Sequence, residues 1–126
     1  MQKWLSELRQ ESRKKPVVVE GKKDSAALGK FGIKTEQLHR IHSSISKRID
    51  ELSENKECIL LFDMDESGRR FHAKVKGDLQ RSGVKVTDHF RNFLLSNTNL
   101  RFIEGVDTYI KNLQKDEKRN PHPWNR

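Results

Sequence analysis

The chain has 126 residues, of which 33% are hydrophobic and 35% are charged, and its net charge is +8. This length predicts a single domain that buries about two-thirds of its unfolded surface. The apolar residues are clustered, which argues against disorder across the chain, and the single cysteine excludes a disulfide framework. The positive charge favours a polyanionic partner, with RNA or DNA ahead of an anionic membrane. There is no secretory signal and no apolar stretch of about 18 residues, so we expect a cytoplasmic protein.

Residues 1–15 predict a basic amphipathic helix, which Pro16 separates from the rest of the chain. Trp4, on the apolar side of this helix, suits either docking on a core or stacking on a nucleic acid base, and docking is favoured. We expect this helix to precede one α/β domain at residues 16–114. A basic, flexible tail is expected at residues 115–126.

Two apolar runs end in acidic residues and predict strands that are buried on both faces. Residues 17–21 read VVVEG, and residues 58–65 read CILLFDMD. Glu20 therefore stands at the end of the first strand, and Asp63 and Asp65 stand at the end of the second. As long as the second strand persists, its two aspartates point to the same side. A divalent cation would relieve their repulsion, and a solvated acidic turn is the plainer alternative.

Helices are expected after the first strand and before the second. Residues 22–30 predict one helix, with Asp24 in its first turn, where a negative charge favours the helix dipole. Residues 33–42 are ambiguous and suggest a short strand. Ser43 or Ser44 then caps the helix that leads to the second strand.

The segment after the acidic motif predicts another helix, a strand and a helical remainder. The helix follows Gly68, and Gly83 provides its final turn. Residues 84–87 predict a strand with one more solvated face. Strands that alternate with helices in this way predict the α/β class. We expect a compact, Rossmann-like sandwich with a central, mainly parallel four-stranded sheet flanked by helices.

The acidic residues should come together, because parallel strands present their carboxyl ends at one edge of a sheet. That places Glu20 beside Asp63 and Asp65, a set suited to one or two Mg²⁺ ions, with Mn²⁺ as a substitute. Further residues at this edge are candidates for phosphate contacts, and solvated surface charge is the alternative for the basic ones. They are Gly21, Lys22, Gly68, Arg69 and Arg70.

Residues 17–24, VVVEGKKD, and residues 60–69, LLFDMDESGR, resemble the two motifs of the Toprim family in order and spacing. That domain is shared by topoisomerases, bacterial-type primases, certain maturation ribonucleases and old-family nucleases. The resemblance covers almost the whole chain and looks closest to the small stand-alone, archaeal-type Toprim proteins. The bacterial ribonuclease that matures 5S rRNA is also similar. The resemblance implies that Glu20 is a general acid or base or a metal ligand, and that Asp63 and Asp65 hold magnesium.

Asp24 matches the aspartate of the Glu-Gly-Lys-x-Asp motif, and the resemblance implies a supporting role for it at the site. Two departures from the Toprim pattern exclude some of the activities found in that family. Ser67 stands where type IA topoisomerases carry a third acid, and the single tyrosine, Tyr109, falls in a predicted packing helix. DNA strand passage is therefore not expected. The chain also has no zinc-binding or accessory polymerase segment, which argues against primase activity.

We therefore expect a Mg²⁺-dependent nucleotidyl-phosphoesterase that acts on nucleic acid as an RNA-processing or DNA-repair nuclease. A second hypothesis is a non-catalytic module that binds metal and nucleic acid within a larger protein complex. A third is a phosphatase resembling the haloacid dehalogenases, with Asp63 as nucleophile, but too few residues follow for the later strands of that family. Nucleic acid is the expected partner, and no membrane is expected. Basic segments at residues 9–15, 69–81 and 111–119 could supply the binding surface.

Overall fold

The computed structural model describes residues 1–39 and 44–119, and in that part of the chain six α-helices flank one sheet. The helices are α1 (Gln2–Glu11), α2 (Lys22–Gly29), α3 (Ile45–Leu52), α4 (Glu66–Arg81), α5 (His89–Asn97) and α6 (Val106–Arg119). The strands are β1 (Val17–Val19), β2 (Glu36–Gln37), β3 (Glu57–Leu60) and β4 (Lys85–Thr87). A short 3-10 helix, Ile103–Gly105, leads directly into α6.

The four strands form one sheet in the order β2-β1-β3-β4, and every neighbouring pair is parallel. The predicted class, an α/β sandwich around a mainly parallel four-stranded sheet, is therefore confirmed. Each crossover contains a helix, as parallel connections normally do. Strands β1 and β3 lie side by side at the centre, with Val18 aligned with Leu60. The acidic residues that follow these two strands consequently leave the sheet at the same edge.

Hydrophobic layers cover both faces of the sheet. Val17 and Val19 belong to one layer and Val18 to the other, since successive side chains of a strand point to opposite faces. Helices α1, α2, α5 and α6 contribute to the first layer, and α3 and α4 contribute to the second. Burial on both faces explains why the central strands are uninterrupted apolar runs in the sequence.

The connection from β3 to α4 differs from the sequence prediction. β3 ends at Leu60 and does not continue to the aspartates. Helix α4 begins at Glu66, so Gly68 lies inside its first turn and does not precede the helix. The reason is that Asp65 occupies the N-cap position and accepts a hydrogen bond from the helix.

The expected C-terminal tail begins inside α6, which continues to Arg119. Residues 115–119 are therefore helical, whereas residues 120–126 lie outside the described part of the chain. Residues 40–43 also lie outside it, and they include the end of the ambiguous segment and one of the two serines expected to cap a helix. The described part of that segment forms β2, and Ser44 occupies the N-cap position of α3.

Outside the core, the helix surfaces are largely polar. Leu95 and Phe102, each 47% exposed, are the large hydrophobic side chains that the described residues leave at the surface. No helix within residues 1–39 or 44–119 has the length and apolar character needed to cross a bilayer.

Helix α1 docks on the core through Trp4, which confirms docking over base stacking as the role of this residue. The indole is 4% exposed, and its Nε1–H donates to the carbonyl oxygen of Phe90 at 2.9 Å. The two aromatic rings also meet edge to face, with centroids 6.3 Å apart. The first helix is therefore part of the α/β core.

Replacing Trp4 by phenylalanine should lower the free energy of unfolding by about 1–2 kcal/mol, because the buried carbonyl of Phe90 loses its donor. Tyr109→Phe is the matched control, since the Tyr109 hydroxyl makes no hydrogen bond to a described residue. That control should change stability by less than about 0.5 kcal/mol. Urea unfolding followed by circular dichroism measures both, and equal midpoints for the two variants would contradict the role given to the indole N–H.

Candidate functional site

A cleft of about 660 Å³ opens at the carboxyl edge of the sheet. We call it the acidic cleft, because four of its lining side chains are carboxylates. Its lining residues are Glu20, Gly21, Lys22, Lys23, Asp24, His39, Asp63 and Glu104. The predicted site residues Glu20, Lys22, Asp24 and Asp63 therefore do come together, as the parallel pairing of β1 and β3 requires.

The first wall of the acidic cleft is the turn from β1 into α2. Glu20 follows β1 directly, and its Oε1 atom is buried. Gly21 occupies the N-cap position of α2, and its backbone N–H donates to Oδ2 of Asp24 at 3.1 Å. This bond closes the turn, so that Lys22 and Lys23 form the exposed start of the helix at the mouth of the cleft.

Asp24 experiences the negative charge that gathers in the cleft. The residue is 7% exposed, and this burial is the main reason that its pKa is raised. The charge of Asp63 raises the pKa further, and that of Glu104 adds a smaller contribution in the same direction. Burial and neighbouring negative charge both favour the protonated form of a carboxyl group, and for Asp24 burial has the larger effect.

Asp63 is held from two directions. Its Oδ1 atom accepts a hydrogen bond from the backbone N–H of Ile103 at 2.8 Å. Its backbone carbonyl accepts from Nη2 of Arg91 at 2.9 Å, while Nε of the same arginine donates to the carbonyl of Phe62 at 3.1 Å. Arg91 is only 4% exposed, so a buried guanidinium joins α5 to the end of the central strand. The position of the Asp63 carboxylate therefore depends on two later segments of the chain.

Asp65 has a different environment from Asp63. Its Oδ1 atom accepts from the backbone N–H of Gly68 at 2.8 Å, and the residue does not line the acidic cleft. Because β3 has already ended at Leu60, the argument that both aspartates share one side of a strand does not apply. Asp65 stabilises the start of α4, and its Oδ2 atom makes no hydrogen bond to a described residue.

Gly68 is needed where α4 crosses the end of the central strand. A Cβ atom at this position would lie 2.2 Å from the carbonyl oxygen of Asp63. Such a distance is far below van der Waals contact, so only glycine allows the helix to approach this closely. Gly68 therefore serves close packing against the backbone of Asp63, and its N–H is already used by the Asp65 cap.

The two arginines expected to contact phosphate are paired within α4. Arg69 donates through Nη2 to Glu66 at 2.7 Å, and Nε of Arg70 lies 3.3 Å from the same carboxylate. The backbone N–H of Arg69 donates to the carbonyl of Asp65 at 2.9 Å. These arginines do not open the helix, and the acidic cleft is lined by the lysines of α2 instead.

Several residues of the site are absent from the sequence prediction. Glu104 and His39 line the cleft, and Lys23 stands beside Lys22 at its mouth. Glu104 is followed by glycine, as Glu20 is, and this repeated Glu-Gly pair is a signal that could have indicated it. Arg91 has no such signal, because an arginine within a helix usually predicts a solvated charge.

The described residues contain no group of three or more His, Cys, Asp or Glu side chains that could hold a metal ion. A cation in the acidic cleft would therefore be held by fewer protein ligands and by water. Magnesium is commonly bound in this manner, with one or two carboxylates and several retained waters.

Fold and cleft together define a small parallel α/β protein with an acidic cleft at the carboxyl edge of its sheet. No family model matches the chain. The chain is 33% identical over 110 residues to the UPF0292 protein of Methanocaldococcus jannaschii, covering 84% of this chain and 86% of the relative. It belongs to the UPF0292 family.

Two further relatives carry the same family name. Identity to the UPF0292 protein of Methanosarcina barkeri is 31% over 120 residues, which covers 90% of this chain and 82% of that protein. Identity to the Pyrococcus furiosus protein is 36% over 91 residues, covering 72% and 64% of the two chains. A solved structure of a protein from Aquifex aeolicus has a similar fold. Its TM-score is 0.75 at 36% identity, over 84% of this chain and 97% of that one.

Proposed function

We propose that this chain is a Mg²⁺-dependent phosphodiesterase of the Toprim type that cleaves nucleic acid, in RNA processing or DNA repair in the cytoplasm. The observation that carries the proposal is the acidic cleft, where Glu20 and Asp63 from adjacent strands meet Asp24 and Glu104. Lysines at the start of α2 supply positive charge at its mouth, where a helix N-terminus favours phosphate. Both Toprim-like motifs contribute to this one cleft, the first through residues 20–24 and the second through Asp63.

Glu20 and Asp63 have separate roles in the proposed hydrolysis. The reaction joins the oxygen of a water molecule to phosphorus and breaks the bond to one ester oxygen, which leaves with a proton. Glu20 is the group we assign to accept the proton from that water, because it follows β1 directly and lines the cleft beside Asp63. Asp63 is oriented by the Ile103 N–H, so it presents its carboxylate without further ordering.

Magnesium fits the acidic cleft as a largely hydrated ion. Glu20 and Asp63 would hold it, whereas the Asp65 carboxylate caps α4 and does not line the cleft. The charges of Asp63 and Glu104 add to the effect of burial in raising the pKa of Asp24, and this local negative charge, which a cation would offset, supports the fit. When bound, one or two such ions would neutralise phosphate charge and lower the pKa of a coordinated water, and Mn²⁺ should substitute.

Replacing Glu20 by glutamine should reduce metal-dependent cleavage by at least about a hundredfold, because the proton acceptor is lost while the shape of the side chain is kept. The measurement is cleavage of labelled RNA and DNA pools in Mg²⁺, in Mn²⁺ and in chelator. Glu7→Gln is the matched control, since Glu7 lies on the exposed side of α1 and should leave the rate unchanged. Identical background cleavage by wild type and Glu20→Gln in all three conditions would contradict the proposal.

A non-catalytic module that binds metal and nucleic acid is the second candidate. The observation in its favour is that Oδ1 of Asp63 and Oδ1 of Asp65 both accept structural hydrogen bonds from backbone N–H groups. Calorimetric titration with Mg²⁺ separates the candidates. Metal binding that disappears in an Asp63→Asn/Asp65→Asn double variant, without cleavage by the wild type, would favour the module. Unchanged Mg²⁺ binding in that variant would remove the metal assignment from both.

A further inference from the structure

The opposite edge of the sheet, where the strands begin, carries a second groove with a volume of about 250 Å³. Its lining comes from the turns that precede β1, β2 and β3. We call it the amino-edge groove, and its charged lining residues are Arg13, Lys14, Lys15, Lys34 and Glu36. Because all four strands are parallel, this groove and the acidic cleft lie at opposite edges of the same sheet.

The amino-edge groove has a surplus of positive charge. Lys15 is engaged by Glu57 at 2.5 Å and by Glu11 at 3.0 Å. The single acid of the lining, Glu36, pairs with Arg48 at 3.2 Å and so does not neutralise the groove's own cations.

The remaining cations are Arg13, Lys14 and Lys34. All three are exposed, and within residues 1–39 and 44–119 none of them forms an ion pair. Lys14 also lines a neighbouring depression, where three lysines are balanced by three glutamates, so the surplus of positive charge is confined to the groove.

Basic residues on α4 have a different arrangement. Lys74 and Arg81 both pair with Asp78, and Arg69 pairs with Glu66. Each of these cations has an acidic partner in the same helix, although two acids are shared among them and the sequence marks this segment as basic too. A count of basic residues therefore does not distinguish the two surfaces, whereas the ion pairs do.

We propose that the amino-edge groove binds the phosphate backbone of a nucleic acid strand, remote from the acidic cleft. Three uncompensated cations in one concave surface favour a polyanion, and they contact phosphates without reading bases. The described lining contains no aromatic side chain on which a base could stack. Neither Leu95 nor Phe102 lines the groove, so it lacks the apolar anchors that a membrane-bound surface uses. In naming nucleic acid, this inference rests on the proposed function.

The test compares two triple variants that remove the same charge. The groove variant is Arg13→Gln/Lys14→Gln/Lys34→Gln, and the control variant is Arg81→Gln/Lys74→Gln/Lys111→Gln, whose three cations are ion-paired. Binding of a fluorescent single-stranded RNA of about 20 nucleotides, longer than a typical single-strand site, is measured in chelator across a salt series. The groove variant should bind at least about tenfold more weakly. The slope of log affinity against log salt should fall by about 2, at roughly 0.7 per neutralised phosphate.

Equal losses in the two triple variants would overturn the inference, because net charge alone would then account for binding. No loss in the groove variant would overturn it as well. Loss of binding to anionic lipid vesicles with unchanged RNA affinity would replace it with a membrane surface. Acetylation of the wild-type protein gives a second readout, in which RNA should protect Lys14 and Lys34 more than Lys74. Since all these measurements are made without Mg²⁺, a protein that binds through the groove but never cleaves would contradict only the proposed function.

Discussion

Replacing Gly68 by alanine should lower the free energy of unfolding by about 3 kcal/mol, although alanine is the better helix former. The added methyl group would lie 2.2 Å from the carbonyl oxygen of Asp63 and 2.6 Å from its carbonyl carbon. Both are backbone atoms beside the end of β3, so they cannot move aside as a flexible side chain could. The higher helix propensity of alanine offsets at most about 1 kcal/mol of the destabilisation caused by the steric clash, so the clash determines the sign of the effect.

Gly77→Ala is the matched control, because Gly77 lies in the same helix. A methyl group there would meet only the Arg81 guanidinium at 3.4 Å, and this side chain has room to adjust. The control should raise stability by about 0.5–1 kcal/mol. Chemical denaturation of both variants checks the prediction, and stabilisation of similar size at both positions would contradict it. Since the clash falls on Asp63, Gly68→Ala should also weaken Mg²⁺ binding under conditions in which the variant remains folded.

Acidification should destabilise the protein between about pH 6.5 and pH 4 through His72. This side chain is 9% exposed, and its ring meets Phe62 edge to face at 6.3 Å. Burial is the main cause that lowers the pKa of His72 to about 4, and the charge of Arg91 acts in the same direction. Asp88, 3.7 Å from Nε2, opposes this shift without overcoming it.

The direction of the pH effect follows from which state binds the proton more tightly. The unfolded chain takes up this proton near pH 6.5, whereas the folded chain resists it until about pH 4. The contribution of neutral His72 is therefore complete above pH 6.5 and is lost as the pH falls towards 4. The total loss is about 3 kcal/mol. His72→Leu should keep its stability across this interval, because the leucine does not titrate.

His89→Gln is the control for the pH prediction, since His89 is exposed at the start of α5. It should show the same acid destabilisation as the wild type. Denaturation midpoints measured at pH 7 and pH 4.5 provide the comparison. If His72→Leu loses as much stability as the wild type over that interval, other groups must carry the effect.

The two central strands of the sheet could be predicted because each is recognisable from its own short stretch of sequence. Strands β1 and β3 are buried on both faces, and such strands appear in a sequence as continuous apolar runs. Once the sheet is taken as parallel, the meeting of Glu20 with Asp63 follows from topology alone. Strand β2 is harder to predict, because its two residues are polar and it is an outermost strand that pairs only with β1.

The spacing of Asp63 and Asp65 could not predict that Asp63 lines the cleft whereas Asp65 caps α4. An aspartate after a strand suits a metal ligand and a helix cap equally well. The outcome depends on Gly68, which lets α4 begin early and close to the strand. Glu104 and Arg91 act through the docking of α5 and the 3-10 helix, and this docking is a tertiary contact that leaves no periodic pattern in the sequence.

The hydrogen bond from the Ile103 N–H to Asp63 determines when, during synthesis, the acidic cleft can acquire its final geometry. The two residues are 40 positions apart, and the donor belongs to the last quarter of the described chain. A ribosome exposes β1, β3 and their acids long before the segment that orients Asp63. The growing chain thus carries the acidic residues without their final alignment. The cleft is therefore complete only after residue 103 has been synthesised and the 3-10 helix has docked beside Asp63.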